Sequence, residues 1–286
     1  MKIGFFTSTF SDRPIGEILD FAKEAGFDAI EIDANSHIKT ADQVAPIVAQ
    51  ARDRGLFVAA ITLVGNQLET DLDKRKELHA RTRDFAAAVG TAKVPVLVIF
   101  PGRDGATPED DNYKAFAEYA NALLASTAAS ALAFAIENWP GPRNDFIAIT
   151  PGGWRQLFTL IPDRRFGVEY DPSHLIRLGI DPYAGLEGVK ERIKILHAKD
   201  TSIDAQRLQA VGYHGAGWWR YRLPGNGMLD WPKFLRLAKS YGFDGTLSVE
   251  HEDADFGWPR KDLSARREGE RKALEFLRGV CGSLPD

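Results

Sequence analysis

The segments "FAKEAGFDAIEID" (21–33) and "LAKSYGFDGTLSVE" (237–250) decide the fold. Each runs from a helical pattern through Gly-Phe-Asp into a short apolar strand. Glycine in that place suits a helix that ends in a left-handed turn. One helix–turn–strand unit therefore stands at both ends of the chain. Between the two copies the same alternation continues. Short apolar or β-branched runs predict strands at 2–6, 29–33, 57–63, 94–100, 132–138, 166–171, 193–199 and 246–252. Helical patterns such as "IGEILDFAKEAG", "ADQVAPIVAQARDRG", "DLDKRKELHARTRDFAAAVG" and "WPKFLRLAKSYG" separate them, several closing on Gly. Alternating strands and helices imply a parallel sheet, and eight such units in a chain of 286 residues predict a (β/α)8 TIM barrel, an α/β fold. A doubly wound sheet would carry a glycine-rich turn after an early strand, and "FFTSTFSDRP" has none. With no linker or low-complexity segment, residues 1–286 read as one domain. The longest irregular stretch is roughly 200–230.

Composition narrows the function. The net charge is −4 and the 36 basic residues form no long run, which argues against a nucleic-acid or anionic-membrane surface. Cys281 is the sole cysteine, so neither a disulfide framework nor a cysteine-based zinc site is expected. The opening "MKIGFFTSTFSDRP" holds too short an apolar run for a signal peptide, and no stretch approaches a membrane span. A cytoplasmic location is the expectation.

In a barrel of this kind, catalytic groups come from the C-terminal ends of several strands. The fifth predicted strand ends in Glu137 and the sixth in Asp171, with His174 three residues on. The seventh ends in His197, Lys199 and Asp200, and the eighth in Glu250, His251 and Glu252. Taken singly, such a Glu reads as a rim residue in a salt bridge, and such a His as a satisfied core residue. Together, three carboxylates and an imidazole facing one point would repel without a cation between them. A divalent metal shared by Glu137, Asp171, His197 and Glu250 removes that difficulty. Its three oxygen donors and one nitrogen suit Mn²⁺ first, then Co²⁺, Mg²⁺ or Zn²⁺.

"IENWPG", "YDPSH", "HAKD", "LPGNGMLDW" and "SVEHED", in this order and spacing, resemble the xylose isomerase-like TIM barrels, the group that includes tagatose/psicose 3-epimerases. The resemblance covers essentially the whole chain and is strongest over 132–252. It implies that Glu137, Asp171, His197 and Glu250 are metal ligands. Glu137 and Glu250 would double as an acid/base pair on opposite faces of a sugar, and His174 would contact a substrate oxygen. It implies a small carbohydrate substrate and a homo-oligomer, and marks "PGNG" with Asp230 and Trp231 as the approach to the last helix. The activity implied is a metal-dependent sugar isomerase or epimerase that removes a proton beside a carbonyl and passes through an enediolate. Two alternatives remain open: a lyase that cleaves a 3-keto-glycoside by β-elimination after the same proton abstraction, and a non-catalytic sugar-binding barrel.

The sequence departs from the better-known epimerases, which place a second Glu shortly after the first ligand and an Arg shortly after the ligand His. Six positions on, this chain has Arg143 and Ile203, with Arg207 further along. The loop "GYHGAGWWRYRLPGNG" (212–227) is rich in aromatic residues. Trp139, His214, Trp218 and Arg220 are accordingly candidates for substrate contact, by stacking on a ring or by polar contact; packing over the barrel end or against a subunit would account for the same residues. Lys199 shares the strand face of His197 and would either stabilise an enediolate oxygen or pair with an acid such as Asp200 at the surface.

Overall fold

The computed structural model describes residues 1–259 and 262–284. Its strands are β1 (Lys2–Phe6), β2 (Ala29–Asp33), β3 (Phe57–Leu63), β4 (Val96–Ile99), β5 (Ala133–Glu137), β6 (Phe166–Tyr170), β7 (Ile193–Ala198), β8 (Asp200–Ile203), β9 (Trp219–Arg222) and β10 (Thr246–Val249). β1 to β7 and β10 form a closed barrel in the order β1–β10–β7–β6–β5–β4–β3–β2, with β2 returning to β1. All its neighbours are parallel. The predicted (β/α)8 barrel is therefore the observed fold. The first three strands coincide with their predicted bounds. The other five are shorter at one or both ends, and at the C-terminal ends of β5, β6, β7 and β10 the chain leaves the ladder where it carries the polar residues described below.

The two echoed turns behave as their glycines require. Gly26 and Gly242 have φ of +90° and +86° and close the helices Ile15–Ala25 and Trp231–Ser240. Gly90 does not end its helix, which runs over Leu72–Thr91 with Lys93 taking the positive φ beyond it.

Two expectations are corrected. The stretch 200–230 is not irregular throughout: β8 and β9 pair antiparallel, Asp200 opposite Arg222 and Ile203 opposite Trp219, with the helix Ala205–Val211 between them. This ribbon lies beside the mouth and belongs to no barrel ladder. The "PGNG" turn leads into the helix Trp231–Ser240, where Asp230 accepts from the Lys233 N–H as N-cap. The last helix is Leu263–Gly282, after β10.

Strand alternation sorts the core. Phe134 and Ile136, Val168 and Tyr170, Leu196 and Ala198, and Leu247 and Val249 pack in the outer core with the helices. On the strands' other parity stand Ala135 and Glu137, Gly167 and Glu169, Ile195 and His197, and Ser248 and Glu250. Toward the N-terminal end the inner positions are small or aliphatic: Ala29, Ala59, Ala60, Val96, Val98, Ala135 and Ile195. Toward the C-terminal end they become ionisable. The barrel thus packs one end of its bore and leaves chemistry at the other.

One buried acid lies outside that arrangement. Glu270, on the helix Leu263–Gly282, is fully buried, and neither carboxyl oxygen has a hydrogen-bond partner. Burial pushes its pKa well above the usual carboxylate range, and Thr9 offsets only part of that. As pH rises through the ordinary range, the unfolded chain releases this proton while the folded chain keeps it, so stability falls. Glu270→Gln removes the loss. We expect a gain of roughly 1–3 kcal/mol at pH 7, shrinking toward zero near pH 4. Urea melts of both proteins at the two pH values measure it; an equal difference at both would contradict a buried neutral acid.

Candidate active site

The cluster is built from strand ends and the local structure that follows each. Glu137 closes β5, and the next residue, Asn138, is fully buried. The Asn138 side chain donates to the Asp171 carbonyl at 2.8 Å and accepts from the Asp171 N–H at 2.9 Å. This reciprocal pair fixes the end of β5 against the end of β6, and so Glu137 against Asp171. Asp171 itself is an N-cap: its Oδ1 accepts from the Ser173 N–H at 2.7 Å, and Pro172 opens the helix Pro172–Arg177. Capping uses one oxygen and leaves Oδ2 facing the bore. His174 sits in the first turn of this short helix, which returns its ring to the same point.

His197 Nδ1 lies 2.9 Å from Glu250 Oε2, 3.3 Å from Glu137 Oε1 and 3.9 Å from Asp171 Oδ2. One donor atom from each of these four buried residues lies within 4.8 Å of the others. Asp171 Oδ2 and His197 Nδ1 are buried and make no well-aligned hydrogen bond; their nearest neighbours are charged groups, Lys199 Nζ 3.1 Å from Oδ2 and Glu250 Oε2 2.9 Å from Nδ1. Three carboxylates and an imidazole gathered this closely in a buried site repel one another unless a cation lies among them, and the donor set fits one. The residues present fit the divalent metal that the sequence implied.

The other edge of the imidazole is held from deeper in the bore. His197 Nε2 is 3.0 Å from Glu31 Oε2 and 3.1 Å from Glu169 Oε1, and Thr62 donates to the second oxygen of Glu31 at 2.5 Å. Carboxylates behind a ligating histidine orient the ring and raise its basicity. Sequence reasoning missed Glu31 and Glu169. Their signal was present: a carboxylate inside an otherwise apolar parallel strand is anomalous on its own.

The electrostatics are those of crowded acids. Burial, then repulsion from Glu250, pushes Glu137 up to about 7. Burial likewise raises Asp171, and raises Glu169 well above the usual range with Glu31 adding to it. Burial works against ionised Glu250 too, but Lys199 and His197 outweigh it and hold that carboxyl low. For His197 burial is outweighed by Glu169, Glu31 and Glu250, which raise the ring well above its ordinary value. For His174, burial followed by the nearby Lys199 ammonium keeps the ring neutral.

Lys199 is not at the surface. It is buried, with Nζ 2.5 Å from Glu250 Oε2, 3.0 Å from Glu252 Oε2 and 3.1 Å from Asp171 Oδ2. The surface pairing with Asp200 is corrected: Asp200 is a buried anchor for the loop before Trp231 and accepts from that residue's indole N–H at 3.0 Å.

Of the remaining candidates, the structure brings two to the mouth. His174 Nε2 is 3.1 Å from Glu137 Oε1 and 3.3 Å from Asp171 Oδ2. Trp139, half-buried two residues beyond Glu137, packs with Phe100 and Phe146 as an aromatic wall. Three others are not brought to the cluster. Trp218 is buried beneath Tyr213 and beside Trp219. Arg220 points outward, 60% exposed, and pairs with Asp255. His214 is exposed, with no hydrogen bond to the cluster among the described residues. For Arg220 the reason is the pleat of β9: alternate residues face opposite sides, and it is Trp219 and Tyr221 that turn inward, while His214 and Trp218 precede the strand. The Tyr221 hydroxyl is 2.7 Å from His174 Nδ1, and the Arg177 guanidinium lies over the Trp219 ring at 4.2 Å. Arg143 is exposed, and Arg207 donates to the Ala216 carbonyl within the ribbon's own connection.

A parallel eight-stranded barrel with its ionisable residues gathered at the C-terminal ends of the strands defines an α/β barrel with a candidate active site at that mouth. The chain belongs to the xylose isomerase-like TIM barrel family, whose model matches residues 19–280. It is 21% identical to the uncharacterized protein YfiH of Bacillus subtilis strain 168, over 88% of this chain and 93% of that one. A D-psicose 3-epimerase from Clostridium cellulolyticum H10, solved with D-tagatose, superposes with a TM-score of 0.74 at 17% identity, covering 98% of this chain and 99% of its own. A 3-keto-D-glucoside 4-epimerase from E. coli gives 0.73 at 18% identity, over 98% and 99%. These superpositions establish the shared barrel. Among the described residues no helix is long and apolar enough to cross a membrane.

Proposed function

We propose that this protein is a divalent-metal-dependent isomerase or epimerase of a ketose or keto-sugar, working by proton abstraction beside the carbonyl. The observation that carries this reading is the convergence of donor atoms from the buried Glu137, Asp171, His197 and Glu250 within 4.8 Å of one another. Glu137, Asp171, His197 and Glu250 would hold the metal, Mn²⁺ being the first ion to test. When bound, it would polarise a ketone and its neighbouring hydroxyl and acidify the C–H between them. The chain supplies the proton chemistry. Glu250, kept ionised by Lys199 and His197, serves as the base, and Glu137, pushed up to about 7, returns a proton from the opposite side. His174 and Lys199 orient the substrate oxygens, and the Trp139 wall covers an apolar face of the ring. That two superposing barrels are named as epimerases of keto-sugars supports the substrate class.

A second reading, β-elimination from a 3-keto-glycoside, shares the abstraction step and needs an acid for the departing group. Glu252 favours it: burial raises this carboxyl, which sits 3.0 Å from Lys199 and is 21% exposed, more open than Glu137 or Glu250. Product analysis separates the two.

The test is elemental analysis, after chelation and after reloading with Mn²⁺, Co²⁺, Mg²⁺ or Zn²⁺. We expect about one ion per chain, with affinity lost in Asp171→Ala by about 100-fold or more. Ketoses and 3-keto-glycosides incubated in D₂O with the loaded protein should then gain deuterium beside the carbonyl. No metal uptake and no exchange would leave a sugar-binding barrel.

A further inference from the structure

We infer that Tyr221, held by Arg177, fixes the tautomer of His174 so that the ring presents Nε2–H to the substrate. The inference rests on the reading of the site given above and assigns it two further residues from outside the strand ends.

The hydrogen-bond inventory leads to it from both edges of the ring. At one edge, the Tyr221 hydroxyl is 2.7 Å from His174 Nδ1 and 3.1 Å from Arg177 Nη1. A guanidinium only donates, so the tyrosine oxygen accepts from Arg177. Its single proton is then available to the remaining neighbour, His174 Nδ1, which accepts it. At the other edge, His174 Nε2 faces Glu137 Oε1 at 3.1 Å and Asp171 Oδ2 at 3.3 Å, both acceptors. Lys199 Nζ is also near, at 3.4 Å, but its three protons have nearer acceptors in Glu250 at 2.5 Å, Glu252 at 3.0 Å and Asp171 at 3.1 Å. Both edges therefore ask for the proton on Nε2. The result is a one-way relay, Arg177 to Tyr221 to His174 to the active-site oxygens.

The ribbon is what makes the relay rigid. Pairing of Thr201 with Tyr221 sets Tyr221 on the inward face, two residues from Trp219. The Trp219 ring lies against Arg177 on one side and 4.7 Å from the Tyr221 ring on the other. Arg177 also donates to the Gly141 carbonyl at 3.4 Å, tying the ribbon to the loop after β5. Arg222 anchors the far end by its pairs with Asp253 and Asp255. Tyr221 and Arg177 are thus positioning residues, acting through His174. A neutral N–H donor aimed at the mouth recognises an oxygen with a free lone pair, a carbonyl or hydroxyl of a sugar, without competing for the cation.

The experiment is nitrogen NMR of the ¹⁵N-labelled full chain at neutral pH, in which protonated and unprotonated ring nitrogens have separate shifts. The His174 signals are assigned by their loss in His174→Asn. The wild type should show Nε2 protonated and Nδ1 unprotonated. Tyr221→Phe, which removes one oxygen and keeps the ring in place, should mix the tautomers. In the same variant kcat should fall about 10- to 100-fold with bound metal unchanged. Arg177→Met should shift the tautomers the same way by a smaller amount, since Tyr221 keeps its hydroxyl. A wild-type His174 protonated on Nδ1, or a tautomer unaltered in Tyr221→Phe, overturns the proposal. The NMR readout needs no turnover, so a chain inactive on every keto-sugar but showing the Nε2 proton would refute the proposed function and leave the relay standing.

Discussion

Glu250→Gln is expected to lower turnover by about 10³-fold, the range a positioned general base contributes, while the chain stays folded. The substitution preserves volume and one oxygen but replaces the basic carboxylate with a neutral amide too weakly basic to take the proton. Glu250 is the suited base because Lys199, at 2.5 Å, and His197, at 2.9 Å, keep its carboxyl ionised against the cost of burial. Glu137 is favoured by the same two neighbours less strongly: burial and the charge on Glu250 outweigh His197 and Lys199 and leave it at about 7. The two variants should therefore differ. Glu250→Gln should stop deuterium wash-in from D₂O, whereas Glu137→Gln should slow conversion of substrate to product more than it slows exchange. Lys199 keeps two carboxylates, Asp171 and Glu252, when Glu250 is neutralised, so no unpaired buried charge is created and the thermal midpoint should move little. Measuring exchange, turnover and metal content on one sample separates lost base from lost ion. Near-normal exchange with metal bound would remove Glu250 from the chemistry.

Much of this was legible in the sequence because period and chemistry coincide in a parallel barrel. The strand runs stood out by apolar content, and the ends of four of them delivered Glu137, Asp171, His197 and Glu250, which the structure brings together. What was not legible depends on the pleat and on non-local pairing. Glu31 and Glu169 lie inside strands rather than at their ends, and only the closure of the barrel sets them behind His197. The loop 212–227 showed its aromatic content but not its register. Without the pairing of β8 with β9, nothing in "GWWRYR" tells which of Trp218, Trp219, Arg220 and Tyr221 face the site, and a shift of one residue exchanges the two faces. Lys199 was placed by parity on the right face, yet its burial goes with three acids contributed by two strand ends, those of β6 and β10.

Asp200→Ala should destabilise the fold by more than about 3 kcal/mol, because one buried carboxylate gathers several donors, of which Met228 N–H also reaches the Thr201 carbonyl at 3.0 Å. Asp200 Oδ1 accepts from the N–H groups of Thr201, Met228 and Leu229 at 2.8, 2.9 and 3.1 Å; Oδ2 accepts from Gly225 N–H at 3.3 Å and the Trp231 indole at 3.0 Å. The turn wraps so closely that a Cβ on Gly227 would stand 2.2 Å from Asp200 Oδ1, which explains the glycines of "PGNG" without any ligand. Asp200→Asn makes the comparison informative. It keeps an acceptor for one set of donors and turns an N–H₂ toward the other, so about half of the loss should remain. The damage should also reach the chemistry, because Asp200 begins β8, and β8 holds the strand that carries Tyr221. Thermal melts of both variants, set beside metal affinity, distinguish this from a ligand role. If Asp200→Ala melts far below the wild type yet binds metal normally in the cold, the fourth residue of "HAKD" is a structural anchor that directly follows Lys199, three residues beyond the candidate ligand His197. A loss of metal with an unchanged melting point would instead put Asp200 among the ligands, and the loop it now holds would need another support.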